Sequence, residues 1–203
     1  MSDEKKKRVP ICPDSTGFTP AFLRRMIAYF DGVDEAEIEL IGNAGMWPVL
    51  GTHYKHLIPK FEKFFLDAEE GDALQALHHM HLYCGTSLDT LIRAIEMGCA
   101  GEPSCAAVWL VLRKQVDVNW AKAIIEQNIT REGTPHAAVA LFKENLVDLE
   151  WVKGIIERCN NGGSYSAAHY LWIIGQVPYT FVERFKGKWE ERFIMQPEKD
   201  QPS

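Results

Sequence analysis

The stretch NWAKAIIE, residues 119–126, returns 31 residues later as EWVKGIIE, residues 150–157. Six of the eight positions are identical or closely similar. The same apolar positions recur in weaker form at residues 89–96 and 180–185. Self-similarity at a fixed period of this size indicates a supersecondary unit that is repeated along the chain.

An alanine-rich pattern alternates with the first. Its members are AAVWL at residues 106–110, AAVAL at 137–141, AAHYL at 167–171 and, more weakly, ALHHM at 76–80. Both patterns have helical apolar spacing, so each repeat is predicted to hold two helices; the alanine-rich one is called the second helix. Gly, Pro, Ser and Thr precede the second helices, as at 101–104, 133–135 and 162–164. We expect the Ser and Thr residues to cap them.

Helix-turn-helix units of this length cannot bury their apolar faces alone, so they stack on their neighbours. We therefore predict an all-α fold, a right-handed α-solenoid of about four to five repeats of roughly 30–31 residues with an N-terminal capping helix. Residues 55–190 resemble HEAT-like helical repeats at the level of architecture. GTPHAA at 133–138 is similar, more distantly, to an ankyrin turn. These resemblances imply neither a ligand nor a reaction.

One helical-repeat domain is predicted over residues 17–195, with an N-terminal cap at 17–52 and repeats at 53–195. The capping helix is expected at 18–32, between a Thr19-Pro20 cap and a stop at Gly32. The glycine-rich segment 42–51 is predicted to be a loop whose Trp47 packs on the core. Residues 1–16 and 196–203 are predicted to be disordered tails.

The composition bounds the class of protein. Lys and Arg number 22 against 28 Asp and Glu, a net charge of −6, which weighs against a protein that binds by neutralising phosphates. The basic run at residues 5–8 is expected to be part of a solvated tail. There is no apolar stretch of membrane-spanning length and no signal-peptide pattern, and the five cysteines have no paired spacing. A cytoplasmic protein with reduced thiols, not associated with a membrane, is expected.

The outer side of the second helices is the candidate binding surface. With about 100° of rotation per residue, Ala107, Leu110 and Val111 share the core arc, and Trp109 falls opposite them. The outer positions in the four repeats are occupied by Ala140 and by the candidate binding residues Gln75, His79, Cys105, Trp109, His136, Ser166 and Tyr170. Rigid amphipathic rings are good anchors for a protein partner. The alternative is that another layer covers this side and makes it core.

Two further columns follow the first helices. Trp120, Trp151 and Phe181 near their starts are expected to pack between repeats. Glu96, Glu126 and Glu157 near their ends are expected to form a solvated acidic face, which would also attract a basic partner.

Histidines are concentrated between residues 53 and 81. His53 and His56, and His78 and His81, are i, i+3 pairs that share a helix face, so two neighbouring helices could bring four imidazoles around zinc or a similar metal. The alternative is that these histidines flank a helix start and occupy ordinary repeat positions.

No catalytic motif accompanies the repeats, so no catalytic residue is assigned and the chain is expected not to be an enzyme. The favoured function is a protein interaction module, that is an adaptor, scaffold or inhibitor, with no cofactor. The alternatives are a metal-binding protein or metal-dependent enzyme that uses the histidines, and a HEAT-like nucleic-acid-binding or DNA-repair protein. Nucleic acid is the less expected partner because the repeats carry no basic stripe.

Overall fold

Helices form all the regular secondary structure in the residues that the structure, a computed structural model, describes: 19–34, 36–38, 45–68 and 73–188. The all-α prediction is confirmed for them. The basic run at 5–8 and the predicted tails at 1–16 and 196–203 lie outside the described residues. The chain divides into two compact units, Met1–Gly101 and Glu102–Ser203. The prediction of one domain over 17–195 stays a prediction.

The first unit begins with the expected helix. Helix α1, Pro20–Asp31, starts where the hydroxyl of Thr19 accepts a hydrogen bond from the backbone N–H of Phe22 at 3.2 Å. It ends at Gly32, whose φ of +73° lies in the left-handed region that glycine tolerates best. Phe22, Leu23, Met26 and Ile27 are buried along one face. The predicted cap and stop of this helix are confirmed.

The predicted loop at 42–51 is wrong over its second half, because helix α2 spans Met46–His53. Met46, Val49 and Leu50 follow the i, i+3, i+4 spacing of a buried helical face and are buried. This apolar periodicity favours a helix although the glycines of the segment favour a loop. Trp47 is half-buried, with its ring centroid 6.3 Å from that of Phe65, so it does pack on the core as expected.

Three further helices complete the described part of the first unit. A 3₁₀ turn, Lys55–Leu57, leads into α3, Ile58–Leu66, which is followed by α4, Ala73–Tyr83, and α5, Leu88–Glu96. Helix α4 carries the alanine-rich pattern and packs against α2, α3 and α5. A Cβ on Gly51 would lie within 3.0 Å of the Tyr83 carbonyl oxygen, so glycine permits α2 and α4 to approach each other closely.

The second unit consists of second and first helices in alternation. The second helices are α6, Pro103–Leu112, α8, Thr134–Lys143, and α10, Gly162–Ile173; the first helices are α7, Val118–Gln127, α9, Leu149–Cys159, and α11, Tyr179–Glu183. Helix α8 packs directly on both α6 and α10, and each second helix also packs on the first helix that follows it. The second helices of this unit therefore form one layer, as a stack of repeats requires.

The same structural motifs recur at the helix ends of successive repeats. The side chains of Ser87, Asp117 and Asp148 accept backbone N–H groups at the starts of α5, α7 and α9. Past the ends of the second helices, Lys114 and Asn145 have φ of +58° and Gly175 has +72°. The residue that follows each of them donates its backbone N–H to the carbonyl oxygen of the residue five positions before it, at 2.9–3.1 Å. The donors are Gln115, Leu146 and Gln176. This C-terminal motif turns the chain sharply into the following first helix.

The hydroxyls at the starts of the second helices do not act as the N-caps we expected. Ser104, Thr134 and Ser164 are fully buried inside the first helical turns. The oxygens of Ser104 and Thr134 lie 2.9 Å apart and join α6 to α8, and Thr134 donates to the carbonyl of Asn128 at 2.6 Å. Only Ser164 takes part in a capping box, with Asn161. Because buried hydroxyls need partners, these residues bond between elements instead of capping.

We predict opposite effects for two glycine substitutions in this unit. A Cβ at Gly163 would meet the carbonyl oxygen of Glu132 within 3.0 Å, whereas one at Gly154, inside α9, would meet nothing within 4 Å. Gly163→Ala should lower the free energy of unfolding by about 1–3 kcal/mol through overpacking. Gly154→Ala should raise it by about 0.5–1 kcal/mol because alanine favours the helix.

Urea denaturation followed by circular dichroism measures both effects, with Gly154→Ala as the matched control. Equal urea midpoints for the two variants would show that the contact between Gly163 of α10 and the Glu132 carbonyl, in the turn before α8, does not limit the size of the residue at position 163.

Candidate interaction surface on the second helices

The outer positions of the second unit are accessible, and the core arc opposite them is buried. Cys105 and His136 are exposed, and Trp109, Ser166 and Tyr170 are half-buried. Ala107, Leu110 and Val111, on the predicted core arc of α6, are buried. Within this unit, no further layer of described residues converts the outer side into core.

The two outer positions predicted in the first unit have a different setting. Gln75 is exposed on α4 and His79 is half-buried. The imidazole of His79 is nearly parallel to the rings of Trp47, at a centroid distance of 5.5 Å, and Tyr83, at 6.1 Å. His79 therefore belongs to an aromatic stack that joins α2 to α4.

Cations lie on the predicted aromatic anchors of the second unit. The guanidinium of Arg113 is 4.2 Å from the centroid of Trp109, and Nζ of Lys143 is 5.3 Å from that of Tyr170. Both distances are within the range of cation–π attraction. The second pair links α8 to α10. We call Trp109, Arg113, Lys143 and Tyr170 the cation–aromatic ridge.

Sequence reasoning missed the two cations of this ridge. Arg113 was detectable, because it follows Trp109 by four residues and positions i and i+4 are neighbours on a helix. Lys143 precedes Tyr170 by 27 residues and lies in another helix, so only the packing of α8 on α10 brings the two together.

The second-helix side of this unit is cationic. Residues 103–114, 134–144 and 162–174 contain Arg113, Lys114 and Lys143 but only one carboxylate, Glu144. Among the described residues, no carboxylate lies within ion-pair distance of these three cations. The ridge is flanked by exposed apolar side chains, including Leu112 and Ile173, which are 45% and 64% exposed.

The first-helix side is acidic, and Glu126 and Glu157 of its acidic column have partners. Glu126 accepts a hydrogen bond from the indole N–H of Trp151 at 2.8 Å, and Glu157 one from Arg184 at 2.7 Å. The ammonium of Lys122 lies 5.0 Å from the Trp151 ring centroid. The expected packing of Trp151 between repeats is confirmed. The acidic column is exposed as expected, and Glu126 and Glu157 also bind the following repeat.

The four histidines proposed as metal ligands have separate partners or positions. His56 Nε2 lies 2.7 Å from an Asp31 oxygen, and His81 Nδ1 lies 2.8 Å from the Thr86 carbonyl oxygen. His53 is exposed at the end of α2, and the ring of His78 stacks on His79 at 5.6 Å. No group of three or more His, Cys, Asp or Glu side chains in the described ranges is arranged to hold a metal ion.

Cys84, Cys99, Cys105 and Cys159 are thiols and not disulfides, and Cys12 lies outside the described residues. Burial raises the pKa of Cys84 to about 12 and that of Cys159 to about 11. Burial is also the main cause of the raised pKa of Cys99. Cys105, in the first turn of α6, is exposed.

None of the helices in the described ranges has both the length and the apolar character needed to cross a membrane. Comparisons with protein-family models, with curated proteins and with solved structures find no match to this chain.

We predict that the exposed Cys105 reacts with iodoacetamide much faster than Cys84. At pH 8, a thiol with a pKa of about 12 is ionised in about one molecule in ten thousand, and the thiolate is the nucleophile. The measurement is peptide mapping by mass spectrometry after timed alkylation of the folded protein. In urea the two cysteines should react at similar rates. Equal rates in the folded protein would contradict the buried position of Cys84.

Proposed function

We propose that the protein is a non-catalytic interaction module, an adaptor, scaffold or inhibitor, that binds a protein partner through the outer side of its stacked second helices. In this proposal the repeats continue as an α-solenoid, and Trp109 and Tyr170 are the anchors. The described cysteines form no disulfide, which suits a reducing compartment, so the cytoplasm is the proposed place of action.

The observation that carries the proposal is the setting of the two anchor rings. Trp109 and Tyr170 are half-buried on the outer side of α6 and α10, and each lies beside a cation. A ring that is held in place loses little conformational freedom on binding, so more of its buried area contributes to affinity. Tryptophan, tyrosine and arginine are also the residue types most enriched among those that dominate interface energies.

The opposite side of the same unit offers less to a partner. Its carboxylates Glu126 and Glu157 are bound to the next repeat, and Phe181 is buried. A partner that competed for these groups would have to break contacts that hold the repeats together. The second-helix side can be covered without such a loss.

The test is affinity capture from the native host lysate with the wild type and a Trp109→Ala/Tyr170→Ala variant. Tyr29→Ala is the matched control, because Tyr29 is 53% exposed on α1 in the first unit. We expect a partner captured by the wild type and the control to be lost, by about tenfold or more, with the double variant, as for interface hot spots. Circular dichroism must show that all three proteins are folded.

The captured partner is then purified and its affinity for each variant is measured by calorimetry. Equal affinity for the wild type and the double variant would move the interface away from the second helices and overturn the proposal.

A further inference from the structure

We infer that the ridge recognises an acidic, extended protein segment with two carboxylates three residues apart, followed by an apolar residue. This inference rests on the proposed function, since it assigns the chemistry of the partner that the second helices bind. The cations beside the anchor rings carry charge that a partner's residues can complement.

The charges of the second-helix side indicate an acidic partner. Arg113, Lys114 and Lys143 have no carboxylate partner among the described residues, although the whole chain has a net charge of −6. On the first-helix side, Lys153, Arg158 and Arg184 all lie within 4.0 Å of a glutamate. The remaining cation of that side, Lys122, lies over the Trp151 ring. Most cations of the first-helix side are thus paired with carboxylates, whereas the three of the second-helix side are left for a complementary charge.

The geometry sets the spacing of the partner's residues. Arg113 is the C-cap of α6 and Lys143 is the last residue of α8, and these helices pack directly on each other. Packed helices lie about 8–10 Å apart, and a segment in the polyproline II conformation advances about 3.1 Å per residue with three residues per turn. Every third side chain of such a segment therefore points to the same side, about 9 Å from the previous one, so a segment that crosses the helices presents one side chain to each helix. Two carboxylates at i and i+3 match the two cations.

The third contact is apolar. Helix α10 packs on the other side of α8 and has no charged residue between Gly162 and Ile174. Beyond Lys143, the crossing segment meets Tyr170 and the exposed Ile173. A residue such as leucine three positions after the second carboxylate fits this end of the ridge.

The same features favour a protein segment over a nucleic acid. Three cations provide few phosphate contacts, whereas nucleic-acid affinity rests largely on many of them. Bases stack on open aromatic faces, but Arg113 already covers one face of Trp109. Leu112 and Ile173 add apolar surface that suits side chains better than phosphates.

The experiment begins with a phage-displayed library of random linear peptides of about twelve residues, long enough to cross three helices in extended form. The library is selected on the full-length wild-type protein after depletion on an empty surface. We expect enrichment of peptides with Asp or Glu at i and i+3 and an apolar residue at i+6. The most enriched peptide is synthesised with a fluorescein label and its Kd is measured by anisotropy.

Two variants and a matched control test the cations. Arg113→Glu/Lys143→Glu should weaken binding at least about tenfold, and Arg131→Glu/Lys186→Glu, with the same change of charge at exposed positions off the ridge, by less than about twofold. Acidic residues are unfavourable at helix C-termini, so Arg113→Gln/Lys143→Gln is the second variant if the first is unfolded. A peptide with lysine in place of both acids should bind the Glu variant more tightly than the wild type.

Several results would overturn the inference. Enriched peptides without the acidic pair, or binding that ignores both ridge variants but falls with the control, would exclude acidic recognition. If peptides without the acidic pair still fail to bind the Trp109→Ala/Tyr170→Ala variant, the proposed function survives and only the acidic chemistry of the partner is wrong. If no peptide is enriched over the empty surface, the result counts against both the proposed function and this inference. Displacement of the peptide by a 20-nucleotide single strand at lower concentration than by unlabelled peptide would favour nucleic acid instead.

Discussion

The close contact between the first turns of successive second helices is the constraint on which the rest of the second unit depends. The buried hydroxyls of Ser104 and Thr134 bond to each other across α6 and α8. The side-chain amide of Asn161 donates to the carbonyl of Arg131, and Gly163 lies against that of Glu132. Buried polar groups tolerate few alternative pairings, so these contacts fix how one helix lies beside the next. That register puts the outer residues of three helices on one side.

The register also divides the charges of the repeats. Carboxylates at the ends of the first helices bind an indole or a guanidinium of the next repeat, as in Glu126 with Trp151 and Glu157 with Arg184. Cations at the ends of the second helices lie instead over aromatic rings. The proposed binding surface thus lies opposite the glutamates that link the first helices of successive repeats.

The sequence predicted what depends on local periodicity and missed what depends on packing between helices. Helix α1, with Thr19 as its cap, and the outer position of Trp109 follow from spacing along one helix. The sequence predicts a capping role for Thr134, because the same residue type can cap a helix or bond between helices, and only its burial beside Ser104 decides between the two roles. The pairing of Lys143 with Tyr170 needs the packing of α8 on α10, which no single stretch of sequence encodes.

Hydrogen–deuterium exchange of the full-length protein, with and without its captured partner, locates the binding surface directly. We predict slower exchange in the last turns of α6 and α8 and in the second half of α10, around Trp109, Lys143 and Tyr170, with α7 and α9 unchanged. Protection confined to α7 and α9, with the second helices unaffected, would contradict binding by the second helices.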